Sequence, residues 1–518
     1  MINERTIINF FIVLGGAILG PFLIISILKN DLLLPQAFFA VCFLLLIFFV
    51  IKDKLAAYPL ISVYFSGAIH LLPLNLTLMD VFSVALIIYY GIAYLALRQK
   101  PIHLGPFPIS FPIFVLGLIV LYHNHSFGLK ALNSSDEGSR PGIAIMIMVM
   151  AYFCGISLAT LPVTYLKKIP WYCCFIALFS TVPFLISTYF PSLTPYIYIF
   201  STNVNVDAYV NDLSITATDT GNIGRMGAYA AVGAAVQALL ISQYPIYTWW
   251  RPERWGIALL SLISFWLTVS AGYRNAVFGF LITTVAGAWC YYSWRAILVP
   301  AFLAFAAYLL IGVQMSHMGK SFLPELPMTV QRSLSFLPGD WSQEVKESAS
   351  SSNDFRNNIQ RVYIKEYLNK SPLIGNGFTF DASEAEQVSY IAAHSDTPDL
   401  YYQAKGFIIS KAFHVGWISL YDCVGIIGSL AFTALGFNMI VILAKSISKE
   451  RYSHTSVIFG LKVWLFCMLC NSMFGFFLVY GDFKLAFPCL CAYAIILCQI
   501  MRISRKSAIA EDLSTYSN

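Results

Sequence analysis

Arg225, Arg274 and His414 are the residues whose types and surroundings best suit chemistry. Arg225 lies in GNIGRMGAYAAV, Arg274 in TVSAGYRNAVFGF and His414 in ISKAFHVGW. A guanidinium group binds anionic oxygens through parallel hydrogen bonds, and an imidazole gains or loses a proton near neutral pH. If the fold brings the three side chains together, they would bind an anionic group beside a base.

A second group of candidates lies in the long polar stretch of the second half of the chain. Its members are Arg332, Arg356, Arg361, Gly375 and Gly377. A basic loop attracts an anionic substrate at a membrane, and a glycine turn permits tight backbone geometry. The plainer interpretation of the three arginines is a solvated loop surface.

Several common catalytic motifs are absent from the sequence. It has no Walker-type glycine loop, no H-E-x-x-H, no carboxylate cluster with metal-ligand spacing and no nucleophile elbow around a serine. We therefore predict chemistry without a cofactor and without a metal. Nearly all of the eleven cysteines lie in apolar runs, which argues against a disulfide framework.

The composition places the chain among polytopic membrane proteins. Of its 518 residues, 58% are hydrophobic and 11% are charged, whereas a soluble domain carries roughly 25% charge. The net charge of +6 is spread over short loops and requires no nucleic-acid partner.

Apolar runs predict the membrane spans. We expect an all-α polytopic membrane protein with about 12–14 transmembrane helices and one large external, partly helical loop. The predicted spans are about 7–28, 32–51, 57–72, 77–97, 107–122, 141–161, 170–189, 225–243, 254–271, 274–292, 295–313, 421–445, 456–478 and 482–501. The third is short and could be re-entrant.

Charge then predicts the orientation of the spans. With fourteen spans and a cytoplasmic N-terminus, nearly all short Lys and Arg clusters fall on one side, as the positive-inside rule requires. Both termini are then cytoplasmic, and Arg225, Arg274 and His414 lie at the outer surface. An arginine there can also simply extend to the headgroups, and a histidine can simply be interfacial.

The predicted spans divide the chain into four parts. These are an N-terminal transmembrane bundle (1–313), a large external loop (314–420), C-terminal transmembrane helices (421–501) and a cytoplasmic tail (502–518). Within the loop, the pattern predicts a helix over 355–370, a flexible joint over the Ser-rich 346–354, and a surface helix within 400–420.

Four features in order along the second half of the chain carry a resemblance. They are the arginine in GNIGRMG, the hairpin SAGYR, the loop DFRNNIQRVYIKEYLNKSPLIGNGF, and the histidine in FHVGWISLYDCVGIIG. In these features the chain resembles the O-antigen ligase and polymerase family, polytopic glycosyltransferases that use undecaprenyl-diphosphate-linked glycans. The resemblance extends from Arg225 to about Gly428.

The resemblance implies metal-independent glycosyl transfer on the periplasmic face of the bacterial inner membrane. The donor would be an undecaprenyl-diphosphate-linked glycan, and the acceptor a hydroxyl of a glycan or lipid. We expect Arg225 and Arg274 to hold the diphosphate and His414 to act as the base. Arg332, Arg356, Arg361, Gly375 and Gly377 would then contribute to substrate binding.

Other functions remain open at this stage. A transporter or flippase of lipid-linked oligosaccharide would share the composition, but transporters often show repeated halves and functional charges near the bilayer midplane. No repeat of fixed period is present. A membrane scaffold would not need the tight arginine hairpin. The sequence does not separate a ligase from a polymerase.

Overall fold

A computed structural model gives the fold, and it is helical. About 84% of the described residues are helical and none of them lies in a strand, which confirms the all-α class for this part of the chain. The described residues are 51–65, 77–96, 102–123, 139–158, 160–190, 192, 227–249, 251–292, 323–337, 339–378, 387, 388, 391, 400–411, 413, 415–451, 458–478 and 481–516.

The described residues form fifteen α-helices, named here in chain order. The first seven are α1 (Tyr58–Val63), α2 (Leu78–Tyr90), α3 (Phe107–His123), α4 (Ser139–Ser157), α5 (Val163–Leu166), α6 (Ile169–Tyr189) and α7 (Gly227–Gln243). The others are α8 (Trp255–Ser270), α9 (Arg274–Tyr292), α10 (Met328–Leu334), α11 (Gln343–Glu366), α12 (Leu400–Ile409), α13 (Gly416–Glu450), α14 (Phe459–Leu478) and α15 (Phe483–Tyr516).

Several of these helices have the character of membrane spans. Among the described residues, three stretches are long and apolar enough to cross a membrane, and these are α13, α14 and Phe483–Ser504 within α15. Shorter apolar helices lie at Leu78–Tyr94, Phe107–His123, Pro141–Ser157 and Tyr229–Gln243. These helices indicate a membrane protein. The predicted spans 7–28 and 295–313 and nearly all of 32–51 lie outside the described residues, so the number of spans stays a prediction.

Helix α14 and the apolar part of α15 are the most buried of the three long apolar helices, and α13 packs beside them. Helix α13 packs against α3, α14 and α15, and α14 also packs against α7 and α9. Large side chains such as Phe432, Trp464, Phe483 and Phe487 are almost fully buried between them. This packing fixes the helix ends, and Arg274 lies at one of them.

The helix ends lie at two opposite ends of the bundle. At one end, called the site end below, are the start of α9 (Arg274), the start of α13 (Ser419) and the end of α3 (His123), each bonded to a neighbouring element. At the other end, called the far end, Lys462 of α14 is ion-paired with Glu450 of α13.

The arginine hairpin has the tight geometry that the sequence predicts. Helix α8 ends at Ser270 and α9 begins at Arg274, so three residues connect two antiparallel helices. Gly272 has φ +77°, a conformation that favours glycine. The short connection fixes Arg274 at the first position of its helix.

The predicted flexible joint at 346–354 is wrong. Helix α11 runs without interruption from Gln343 to Glu366, so it includes that segment and ends before the predicted 370. Its first turn is held by Val345, which is fully buried. Val345 and Trp341 pack against α10 and against Leu326, which precedes α10. Once the first turn is packed, each further residue adds a hydrogen bond, so a Ser-rich stretch continues the helix.

Candidate functional site

The first part of the site is a group of arginines at the hairpin. Arg274 is half-buried, and its Nη2 donates to Oδ1 of Asn353 on α11 at 3.3 Å. Arg356 lies three residues further along α11 and is also half-buried. Residues three apart on a helix are neighbours on its surface, with Cβ atoms about 5–6 Å apart. The Asn353 contact therefore brings the face of α11 that carries Arg356 to the start of α9.

Arg332 belongs to the same region. It lies on α10, which packs against α8, α9 and α11. Val330 of α10 is buried with Val269 and Val277, the residues on either side of the hairpin. Arg332 is 7% exposed. The predicted Arg332, Arg356 and Arg274 thus lie on elements that contact one another, whereas Arg361 is exposed on α11.

The second part of the site is a break in α13. Gly425 has φ +65° and ψ −166°, which interrupts the helix between two regular halves. The turn 372–377 fills the interruption. The amides of Ile426 and Ile427 donate to the carbonyls of Pro372 (2.9 Å) and Leu373 (3.1 Å). The broken helix and the turn therefore satisfy one another's main-chain groups.

The glycines of the turn lie where no larger residue fits. A Cβ on Gly375 (φ +80°) would lie 2.6 Å from the Val424 nitrogen, and one on Gly377 (φ +74°) would lie 2.8 Å from the His123 side chain. His123 also bonds to the Ile374 carbonyl through Nε2 at 2.8 Å. These two glycines allow the turn to pack closely against α13 and α3. Their predicted role in substrate binding stays a prediction.

A buried ionic network lies beside the break. The Asp422 carboxylate, fully buried on α13, is paired with Lys411 Nζ at 2.5 Å. It also accepts from Asn376 Nδ2 at 2.7 Å and from the Tyr363 hydroxyl at 3.2 Å. The main-chain carbonyl of Asp422 accepts from the Asn376 amide at 2.6 Å. One carboxylate therefore connects α11, the turn, the end of α12 and α13.

The electrostatics of the network follow from burial. A buried charge is costly unless it is paired and fully hydrogen-bonded, and Asp422 has three side-chain donors. Burial raises the pKa of the Tyr363 phenol, and the Asp422 carboxylate raises it further. Tyr363 consequently remains a protonated hydrogen-bond donor at neutral pH.

A second carboxylate lies next to this network. Asp482 precedes α15 and accepts from the Ser419 hydroxyl at 3.3 Å and the Lys484 amide at 3.0 Å. Lys484 Nζ donates in turn to the Lys411 carbonyl at 2.8 Å. The starts of α13 and α15 are thereby joined to the residue that pairs with Asp422.

A cavity of about 310 Å³ lies between α13, α14 and α15, close to Asp482. Its lining is mostly apolar and includes Phe432, Phe476 and Leu485, with the polar Asn471 contributed by α14. A Cβ on Gly279 of α9 would lie 2.6 Å from Asn471 Oδ1, so the cavity borders the helix that begins with Arg274. An apolar space of this size suits part of a hydrocarbon chain.

Two of the three strongest predicted residues, Arg225 and His414, lie outside the described residues. Sequence reasoning missed Asp422, its pairing with Lys411, and His123. The signal for Asp422 was present, because an acidic residue inside an apolar helix is costly unless it has a specific partner. Lys411 could not be identified as that partner because it lies eleven residues away in a different element.

The described side chains offer no metal centre. Within that part of the chain, no group of three or more His, Cys, Asp or Glu side chains is arranged to hold a metal ion. What the arrangement provides is positive charge at the hairpin, a buried carboxylate at the helix break and an apolar cavity nearby. Of these elements, the arginines can bind an anion and the cavity can accept an apolar chain.

Comparison with protein-family models finds no match to this chain, and comparison with curated protein sequences finds none either.

Proposed function

We propose that this protein is a metal-independent membrane glycosyltransferase of the O-antigen ligase or polymerase type. The observation that carries the proposal is the Arg274–Asn353 contact, because it brings together predicted anion-binding residues from separate elements. Arg274 begins α9, Arg356 shares a face of α11 with Asn353, and Arg332 lies on the helix packed against both. A departing diphosphate requires such a group of guanidiniums.

The proposed reaction joins two substrates at the site end. An acceptor hydroxyl of a glycan or lipid attacks the anomeric carbon of an undecaprenyl-diphosphate-linked glycan. A new C–O bond forms, the bond to the diphosphate breaks, and the electron pair leaves with the lipid diphosphate. Arg274 and Arg225 stabilise the charge that develops there, and His414 takes the proton of the hydroxyl.

The proposal includes the setting of the enzyme. The chain would cross the bacterial inner membrane 12–14 times, with both termini cytoplasmic and the loop 314–420 in the periplasm. The apolar cavity between α13, α14 and α15 supports membrane lipid as a partner, because it would accept part of the isoprenoid chain.

The test is reconstitution of the purified protein in liposomes with an undecaprenyl-diphosphate-linked glycan and an acceptor. We expect wild-type protein to transfer the glycan and Arg274→Ala to lose at least 100-fold in rate, since removing one donor to a developing anion typically costs about that factor. Arg251→Ala is the matched control, because Arg251 is an exposed arginine before α8. Equal rates for the two variants would refute the role of Arg274.

A deletion strain separates the two members of the enzyme class. Accumulation of full-length lipid-linked polymer that is never attached indicates a ligase. Accumulation of single lipid-linked repeats without chain extension indicates a polymerase. The reaction centre can be the same in both.

A transporter or flippase of lipid-linked oligosaccharide is the second candidate, and the broken helix α13 favours it. Transporters use discontinuous helices to bind substrates and ions at the ends of half-helices. In this protein, however, the amides after Gly425 are bonded to the turn 372–377. Translocation of a labelled lipid-linked glycan in liposomes, without glycosyl transfer, would establish this alternative.

A further inference from the structure

Asp422 holds a position that its local sequence does not explain. It lies six residues inside α13 and is fully buried, yet its partners come from three other parts of the chain. Lys411 follows α12, Tyr363 belongs to α11 and Asn376 to the turn. Replacing a buried ion pair by apolar residues is often neutral or stabilising, so stability alone is a weak reason for this network.

Helix α11 connects the network with the arginine hairpin. It is bonded at Asn353 to Arg274 and at Tyr363 to Asp422. Ten residues separate these two contacts, which is about 15 Å along a helix. Arg356 lies between them, two turns before Tyr363 and on the same side of the helix, because seven residues make nearly two full turns. The position of Arg356 thus depends on both contacts.

The two contacts of α11 differ in strength and in exposure to solvent. The Arg274–Asn353 bond is long, at 3.3 Å, and is exposed. The Asp422 network is buried and contains a bond between two charged groups, at 2.5 Å, whereas Arg274 donates to an uncharged amide oxygen. Ile359 and Val362 of α11 also belong to a buried apolar cluster with Ile418 of α13. Apolar packing has no direction of its own, so the bonds of the buried network select the rotation and height of α11 within it.

We propose that Asp422 is a positioning residue that fixes α11, and with it Arg356, relative to Arg274. The inference rests on the proposed function, since the positioned arginines would act on the leaving diphosphate. Asp422 itself touches no substrate. Its carboxylate acts through Tyr363 and Lys411, whose directional bonds define one register of α11 on the bundle.

The decisive variant removes the ion pair and the Tyr363 hydroxyl together, so that none of the three leaves a charged or polar partner behind. In Lys411→Met/Asp422→Leu/Tyr363→Phe, apolar side chains replace these three polar ones, and Asn376, which is only partly buried, bonds to water instead. We expect this triple variant to keep the thermal stability of the wild type. We expect its kcat for glycan transfer to fall at least tenfold, with the KM for the donor changed less than threefold, because alignment in the transition state is what is lost. Wild-type kcat in the stable triple variant would overturn the proposal.

A second ion pair, whose lysine is fully buried, provides the matched control. Lys462 is fully buried on α14 and pairs with Glu450 at the far end. Lys462→Met/Glu450→Leu should keep kcat within twofold of the wild type. At the Asp422 network itself, the conservative Lys411→Arg preserves the charge, so it should retain kcat within threefold of the wild type, unlike the triple variant. A tenfold loss in the Lys462 pair would show that any buried pair in the bundle affects kcat, and the proposal would fail.

Amide hydrogen exchange tests the positioning without reference to activity. In Asp422→Asn and in the triple variant, amides of residues 355–366 should exchange at least tenfold faster, while those of α14 stay unchanged. Unchanged exchange in 355–366 would overturn the inference. If wild-type protein transfers no glycan, the proposed function fails, and the exchange result still decides whether Asp422 positions α11.

Discussion

Replacing Gly425 by alanine should disrupt the junction between the broken helix and the turn. A Cβ at this position would lie 2.4 Å from the carbonyl carbon and oxygen of Leu373 and 2.5 Å from the Gly375 nitrogen. All three are main-chain atoms, so no side-chain rotation can relieve the overlap. The turn must move away from α13.

The size of the effect follows from the bonds that are lost. Moving the turn breaks three main-chain hydrogen bonds, from Ile426 to Pro372, from Ile427 to Leu373 and from Asn376 to Asp422. At about 1 kcal/mol net for each bond, the loss is about 3 kcal/mol. The backbone angles of Gly425 add about 1–3 kcal/mol of strain for any other residue. We expect a total of about 4–6 kcal/mol.

The assay is the free energy of unfolding, measured by denaturant titration in detergent micelles. Gly256→Ala is the matched control, because a Cβ at Gly256 on α8 meets no atom within 4 Å. Alanine in a helix is favoured over glycine, so the control should be neutral or more stable by about 0.5–1 kcal/mol. If Gly425→Ala lowers the free energy of unfolding by less than about 1 kcal/mol, the turn does not stabilise the break in α13, and the interpretation is refuted.

Three further substitutions probe the same region, each by the free energy of unfolding. Asn376→Ala removes the 2.7 Å bond to the Asp422 carboxylate and should cost about 1.5–3 kcal/mol, since bonds to charged groups are the strong ones. Tyr363→Phe removes a longer bond at 3.2 Å and should cost about 0.5–1.5 kcal/mol, so a larger loss than in Asn376→Ala would contradict this ranking. Gly377→Ala should displace the His123 ring, and a protein as stable as the wild type would show that the ring yields without cost.

The sequence predicted what depends on local pattern. The hairpin at Arg274 followed from two apolar runs separated by a few small and polar residues, and the structure has that connection. The turn at Gly375 and Gly377 followed from their ability to adopt positive φ, which both do. Each of these features is determined by residues adjacent in the chain.

What the sequence did not predict depends on contacts between distant residues. The Ser-rich start of α11 reads as a flexible segment, and it becomes helical because Trp341 and Val345 pack against α10. The ion pair of Lys411 and Asp422 joins two elements whose relative placement is set by the packing of the bundle. Gly425 lies in an apolar run that has the composition of a continuous helix, and its break depends on the turn beside it.

These contacts bear on how a substrate would enter the proposed site. Besides the packing of Val345 on α10, helix α11 is fastened by two polar contacts about 15 Å apart, so the loss of one of them does not let it swing away from the bundle as a lid. The exposed bond between Arg274 and Asn353 is the weaker of the two, and it involves the arginine proposed to bind the diphosphate. An arriving phosphate would compete with Asn353 for that guanidinium, because it offers two anionic oxygens for parallel bonds, whereas the amide offers one uncharged oxygen. Donor binding would therefore break one polar contact of α11, while the packing of Val345 and the bonds to Asp422 keep the helix in its register.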